Sequence, residues 1–217
     1  MNAVIFDMDG LMFDTERVFI DAFDYAGQQM GIGKAGYMAI KTLGLSGQMS
    51  RDVWLEEFGD KYDEDALRLH RKAFLSKYYK ENHVPIKKGG YELLQDGKDN
   101  KEKGAVASSA AKWEVDSHFS DAGVKSFFQV VVSGDMVKFP KPNPQIYEMT
   151  CELLNETPNN CIALEDSKYG VLSAYRAGCK TIMIPDLWQP DEETKSILYA
   201  RFNNLFEVIA FLQNTAV

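Results

Sequence analysis

Two aspartates separated by one residue, Asp7 and Asp9, close the short apolar run Ala3-Val4-Ile5-Phe6 that opens the chain. The run has the length of a buried strand, and Gly10 lets the chain turn sharply after it. Carboxylates so placed suit phosphoryl transfer. Asp7 is the candidate nucleophile, because a carboxylate attacking phosphorus gives an aspartyl-phosphate and splits one hard displacement into two easier ones. Asp9 is placed to protonate the leaving oxygen and later to activate water. Mg2+ would hold the electrophile between them, since it is a hard cation that takes oxygen ligands. An isolated Asp-x-Asp more often marks a helix cap, a turn or a solvated pair. The strand before this one, and the run from Gly10 to Asp14-Thr15 after it, set it apart.

Three further groups complete the chemistry. Glu165-Asp166 follows another apolar run, Cys161-Ile162-Ala163-Leu164. Adjacent acids raise each other's pKa unless solvated or coordinated, and a magnesium ion would relieve that repulsion. Asp166 is thus read as a metal ligand with Asp7, and Glu165 as a ligand directly or through water; a solvated helix cap is the plainer alternative. Ser108 ends the run Gly104-Ala105-Val106-Ala107 and can donate to a phosphate oxygen, aided by the Ser109 amide. Either serine could instead cap the following helix, and the two roles are compatible because helix N-termini bind phosphate. Lys141 stands between Pro140 and Pro142, which stiffen its loop and hold its ammonium toward Asp7 and the transferring group. Lys138 is its rival but lacks the proline frame. His70, His83 and His118 have no zinc spacing and no Ser or Cys partner, so they are assigned structural or surface roles.

These residues need a scaffold that gathers strand ends. Apolar runs at 104–107, 127–132, 161–164 and 181–184 alternate with helix-length stretches such as 144–154 and 169–177. That alternation predicts a parallel sheet covered by helices, with ligands at its carboxyl edge. From about Thr15 to Val84 the pattern is helical throughout, with Ser50 and Asp63 as candidate N-caps. This reads as a helical insert after the first strand, returning through Val84–Gly90. Trp54, Phe58 and Phe74 at helical spacing are assigned to the insert's core. The run 96–103 reads as a solvated helix end and turn.

Bulk properties set the outer limits. The 217 residues suit one main domain plus a small second one. A formal charge of −8 disfavours nucleic acid and anionic membranes as partners. It leaves a small phosphate ester open as substrate, because local cations can outweigh distant charge. Cys151, Cys161 and Cys179 have no metal-ligand spacing and read as free, buried thiols in a reducing compartment, the cytoplasm. Asp7 interrupts the opening run too early for a signal peptide, and no stretch reaches membrane-spanning length.

With these pieces in order, the chain resembles the haloacid dehalogenase-like hydrolase superfamily, and within it the β-phosphoglucomutase-like phosphatases with a helical cap. The likeness rests on Asp7-Met8-Asp9-Gly10-Leu11-Met12-Phe13-Asp14-Thr15-Glu16, on Val106-Ala107-Ser108-Ser109, on Lys141-Pro142-Asn143-Pro144, and on Glu165 through Gly170 leading into Ala174–Gly178. It implies an α/β fold: a Rossmann-like three-layer core with parallel sheet, formed by residues 1–14 and 88–217, and an inserted small helical-bundle cap at 15–87. It implies Asp7 as nucleophile, Asp9 as general acid/base, and Ser108 and Lys141 as phosphate binders. The magnesium site would be Asp7, the Asp9 carbonyl and Asp166, with Glu165 close by. The cap would open and close over the pocket, excluding water and selecting the leaving group.

Mutase relatives carry a histidine after the Asp-Thr segment and two cations around a cap glycine. Here Phe19, Leu43 and Gly47 stand at those positions, which favours hydrolysis; a mutase using Lys41 or Arg51 is the enzyme rival, and a non-catalytic protein on the same fold the other. The expected chain is monomeric. Gly97 falls where the family has an apolar residue, so the helix after Tyr91 is expected to end early there.

Overall fold

A computed structural model describes residues 2–42, 45 and 47–215, the side chain of Thr215 excepted. The chain divides into two compact units, Met1–Phe13 with Pro85–Val217, and Asp14–Val84.

The first unit is a six-stranded sheet ordered β3-β2-β1-β4-β5-β6. Its strands are β1 (Ala3–Phe6), β2 (Lys103–Ala107), β3 (Val130–Val132), β4 (Cys161–Glu165), β5 (Lys180–Met183) and β6 (Ala200–Arg201). All paired strands are parallel. The chain leaves β1 toward β2 and β3, then crosses to the other side of β1 to form β4. The carboxyl ends of β1 and β4 therefore flank the switch point, where α/β sheets bind ligands. Register sets their residues side by side: Phe6 pairs with Val106 and with Leu164, and the Asp7 amide donates to Leu164 O at 3.0 Å.

Side-chain alternation decides which helix each strand end meets. Ala3, Ile5, Ala105, Ala107, Cys161 and Ala163 share one face with residues of α7 (Gln145–Leu154) and with Ala174 of α8 (Lys168–Ala177). Asp7 and Glu165 continue that parity, so they emerge on the α7 side. On the other face Val4 and Phe6 line a small cavity with Leu93, Leu94 and Leu212, from α5 (Gly90–Asp99) and α10 (Leu205–Thr215). The remaining helices of this unit are α6 (Lys112–Ala122) and α9 (Glu192–Ser196). These layers match the expected α/β core.

The second unit holds α1 (Thr15–Gln29), α2 (Tyr37–Lys41), α3 (Gly47–Phe58) and α4 (Glu64–Glu81). Its core is Phe23, Ala26, Ala35, Met38, Ala39, Trp54 and Leu67. Trp54 stacks on Phe23 at 5.3 Å and on Phe58 at 5.4 Å. Asp63 caps α4, accepting from the Asp65 and Ala66 amides at 3.0 Å each.

Three local expectations are corrected. Ser50 does not cap α3, which already runs from Gly47 and carries a Gln48–Asp52 side-chain bond of 2.7 Å one turn along. The run 127–132 is only half strand: Lys125–Phe127 is a 3-10 turn, and Phe128 stacks on Phe119 at 5.1 Å. The helix at Gly97 continues to Asp99, because Gln213 ties down Asp96 at 2.6 Å and Glu102 N–H closes onto Gly97 O at 2.9 Å.

Candidate active site

At the switch point four charged side chains converge. Lys141 Nζ donates to Asp7 Oδ1 at 2.6 Å, to Glu165 Oε1 at 2.6 Å and to Ala107 O at 2.9 Å. An ammonium has three protons, and these three acceptors use them all. Asp7, Glu165 and Asp166 each offer an oxygen within 4.8 Å of the others. All three are buried, Glu165 completely. Burial of charge on this scale is costly unless the groups are paired or hold a cation.

The lysine is positioned by more than its prolines. Gln145 Oε1 accepts from the Lys138 and Phe139 amides at 2.9 Å each. From α8, Ser173 Oγ donates to Asn143 O at 2.6 Å, and Arg176 donates to Pro142 O at 2.9 Å. The loop is thus stapled on both sides of Lys141. Lys138, the rival, is exposed and lies over the Phe139 ring at 5.3 Å.

Glu165 is fixed by three donors. Besides Lys141, Tyr147 Oη donates to Oε1 at 2.5 Å, and Ser167 Oγ donates to Oε2 at 3.3 Å. Ser167 also caps α8 by accepting from the Gly170 amide. A Cβ on Gly170 would stand 1.9 Å from Glu165 Oε2, so only glycine fits against this carboxylate. Asp9 is half-buried in the turn after β1 and bridges to Phe13 through its backbone. Gly10 turns at φ +80° and donates to Phe13 O at 2.9 Å.

Ser108 follows Ala107, whose carbonyl holds Lys141, and is buried; Ser109 is exposed. Ser108 Oγ accepts from the Ala110 amide at 3.0 Å, which leaves its own proton for a ligand. Next, Glu114 Oε2 accepts from the Ala111 amide and Asp135 from the Lys112 amide. The amides of 110–112 are therefore engaged within the chain, and any anion at this loop would be met by the Ser108 hydroxyl and the Ser109 N–H. Gly134 braces the loop from β3, where a Cβ would meet Ser109 O at 2.3 Å. His118 is buried edge-on to Phe13 at 5.7 Å, and desolvation lowers its pKa; it is a core residue.

Burial pushes the Asp7 carboxyl up to about 8, the Glu165 and Asp9 charges add to the rise, and Lys141 opposes it. For Lys141, burial alone would favour the neutral amine, but Asp7 and Glu165 outweigh it and hold the ammonium charged. A divalent cation beside the three carboxylates would return Asp7 to the ionised form that a nucleophile requires. The donor set is all oxygen, which fits Mg2+.

Sequence reasoning gave Tyr147, Gly134 and Asp135 no role in this site, and Gly170 entered only as the end of the motif that begins at Glu165. Gly170 carried a signal, a glycine five residues after Glu165 on an otherwise helical pattern. Tyr147 carried none, because an aromatic residue in an apolar helix stripe reads as core.

A profile of the haloacid dehalogenase-like hydrolase family matches residues 4–184. A phosphorylated carbohydrates phosphatase from Thermotoga maritima is 32% identical over 186 residues, 84% of each chain. Among solved structures, β-phosphoglucomutase from Clostridium difficile superposes with a TM-score of 0.78 at 23% identity, covering 99% of this chain and 96% of its own. CbbY from Rhodobacter sphaeroides in complex with phosphate does so with a TM-score of 0.77 at 24% identity, covering 96% of each.

Proposed function

The chain belongs to the haloacid dehalogenase-like hydrolases, in the branch of phosphatases and phosphomutases with a cap domain, and from that premise we propose a Mg2+-dependent phosphomonoester hydrolase acting on small phosphorylated metabolites, sugar phosphates foremost. The observation that carries this reading is the buried Asp7–Lys141–Glu165 cluster, with Asp166 within ligand reach at the sheet's switch point. Asp7, Asp166 and the Asp9 carbonyl would hold Mg2+, with Glu165 beside them. The ion, when bound, supplies positive charge against the phosphoryl oxygens.

Asp7 attacks phosphorus and forms an aspartyl-phosphate as the ester oxygen leaves. Asp9 gives that oxygen its proton, then takes a proton from the water that cleaves the acyl phosphate. Lys141 keeps the Asp7 oxygen aimed, and one of its three bonds would exchange for a phosphate oxygen when substrate arrives. Ser108 and the Ser109 amide hold the remaining oxygens. Residues 15–87, which include most of the helical unit, are assigned the role of a cap that selects the leaving group. The thiols of Cys151, Cys161 and Cys179 are free and buried, which suits a reducing compartment such as the cytoplasm, and the enzyme is proposed to act as a monomer. Among the described residues no helix is long and apolar enough to cross a membrane.

The two rival cations stand in exposed ion pairs, Lys41 2.5 Å from Glu57 and Arg51 3.4 Å from Glu64. Such pairs are too weak to decide the matter, so the preference for hydrolysis rests on the expected mutase positions. Phe19 and Gly47 supply no charge at the expected mutase positions, and Leu43 lies outside the described residues. Screening phosphorylated metabolites for inorganic phosphate, with Asp7→Asn as control, tests the proposal. β-Glucose 1-phosphate with a bisphosphate activator should yield stoichiometric phosphate; accumulation of glucose 6-phosphate would instead establish the mutase.

A further inference from the structure

We propose that Tyr147 is a positioning residue which reserves Glu165 for Lys141 and keeps it from competing for the cation. The inference deepens the phosphatase reading and rests on it.

Glu165 has one neighbour that pulls it toward the lysine side and one that would pull it away. Its Oε1 receives both Lys141 Nζ at 2.6 Å and Tyr147 Oη at 2.5 Å. Among the described residues its Oε2 accepts from Ser167 Oγ at 3.3 Å and lies against Gly170, which blocks retreat toward α8 with backbone alone. Asp7 and Asp166 hold ligand oxygens within 4.8 Å of Glu165. A divalent ion bound there would attract a Glu165 oxygen, because opposite charges at this range in a buried site are weakly screened. If Glu165 turned to the ion, Lys141 would lose one of three acceptors, and its aim at Asp7 would loosen.

The phenol counters this swing. Tyr147 sits in the first turn of α7, fully buried, on the face shared with Ile5 and Ala163. Among the described residues its hydroxyl donates to Glu165 Oε1, and a hydrogen bond to an ionised acceptor is stronger than one between neutral groups. The Lys141 ammonium also lies 5.1 Å over the Tyr147 ring, so one side chain braces both members of the pair. Phenylalanine would keep the ring and the packing while removing only the proton that orients Glu165.

A double-mutant cycle tests this, read by phosphate release from p-nitrophenyl phosphate and by calorimetric titration of each protein with Mg2+ alone. Tyr147→Phe should lower kcat about tenfold with KM changed less than about twofold, since the lost interaction orients the nucleophile rather than binding substrate. The same protein should bind Mg2+ about threefold or more tightly, because a freed carboxylate oxygen joins the ion; loss of packing would not move the two quantities in opposite directions. In a Glu165→Gln background, Tyr147→Phe should cost less than about twofold in kcat, because the hydrogen bond no longer has its charged acceptor.

Equal costs in both backgrounds, or unchanged Mg2+ affinity in Tyr147→Phe, would overturn the proposal. So would failure of Tyr147→Phe to fold while Glu165→Gln folds by circular dichroism, which would place the residue's role in the core. If the unaltered protein releases phosphate from no ester, the phosphatase reading fails on that arm, and the Mg2+ titrations still decide the role of Tyr147.

Discussion

The sheet unit and the helical unit treat ionisable groups in opposite ways. At the ends of β1 and β4, carboxylates and a lysine are buried together, with Lys141 bonded to Asp7, Glu165 and Ala107 O. In the helical unit the pairs Lys41–Glu57, Arg51–Glu64 and Arg68–Asp65 stand in solvent around an aromatic core built on Trp54 and Phe23. Solvated pairs contribute little to stability, while an unpaired buried charge costs several kcal/mol. The difference locates the chemistry. One unit carries charge where apolar side chains would be more stable, and the other carries it where charge is cheap.

Breaking the buried cluster should have the largest consequence. Asp7→Asn should lower turnover by about a thousandfold or more, since it removes the attacking oxygen's charge, as measured by phosphate release under saturating Mg2+. Lys141→Met should also be inactive and should lose about 3–5 kcal/mol in urea titration, because it strands Asp7 and Glu165 in the core.

The metal-free protein should reveal the same cluster through pH. Folded Asp7 holds its proton up to about 8, while the unfolded chain releases it near the ordinary value of 3.8. The native state therefore binds more protons across that window, and stability should fall as pH rises from 4 to 8. The slope from this one group reaches at most about 1.4 kcal/mol per pH unit. Thermal melts in chelator should show it, Asp7→Asn should flatten it, and Mg2+ should stabilise most at the alkaline end.

The helical unit should respond far less. Lys41→Gln should leave the thermal midpoint within about 2 °C, as expected for a solvated pair. A comparably small effect, but a stabilising one, belongs to Gly97→Ala on α5. The added Cβ would meet only Glu102 Oε2 at 3.6 Å. It should stabilise by about 0.5–1 kcal/mol in chemical denaturation, because glycine costs that much in a helix interior.

What the sequence made legible follows from the same contrast. Asp7, Asp9, Ser108 and Glu165-Asp166 announce themselves because a short apolar run must end where the sheet ends, and polar residues just past it face the ligand edge. Lys141 was legible through its prolines, although Gln145, Ser173 and Arg176 hold its loop as well. Tyr147 was not, because its partner lies 18 residues away on another element and nothing local marks a phenol whose proton is committed. β6 was missed for a different reason: two residues, Ala200–Arg201, carry no period at all. Phe128 reads as strand by composition, yet it belongs to the packing of Phe119 and Phe6.

The attack by Asp7 on phosphorus can be caught directly. Substrate and Mg2+ are mixed with the protein, the reaction is quenched into borohydride, and the peptides are mapped by mass spectrometry. An acyl phosphate at Asp7 is reduced there to homoserine, and homoserine at position 7 that depends on both substrate and Mg2+ is the predicted result. Steady phosphate release with Asp7 recovered unmodified, or with the label on another carboxylate, would contradict it.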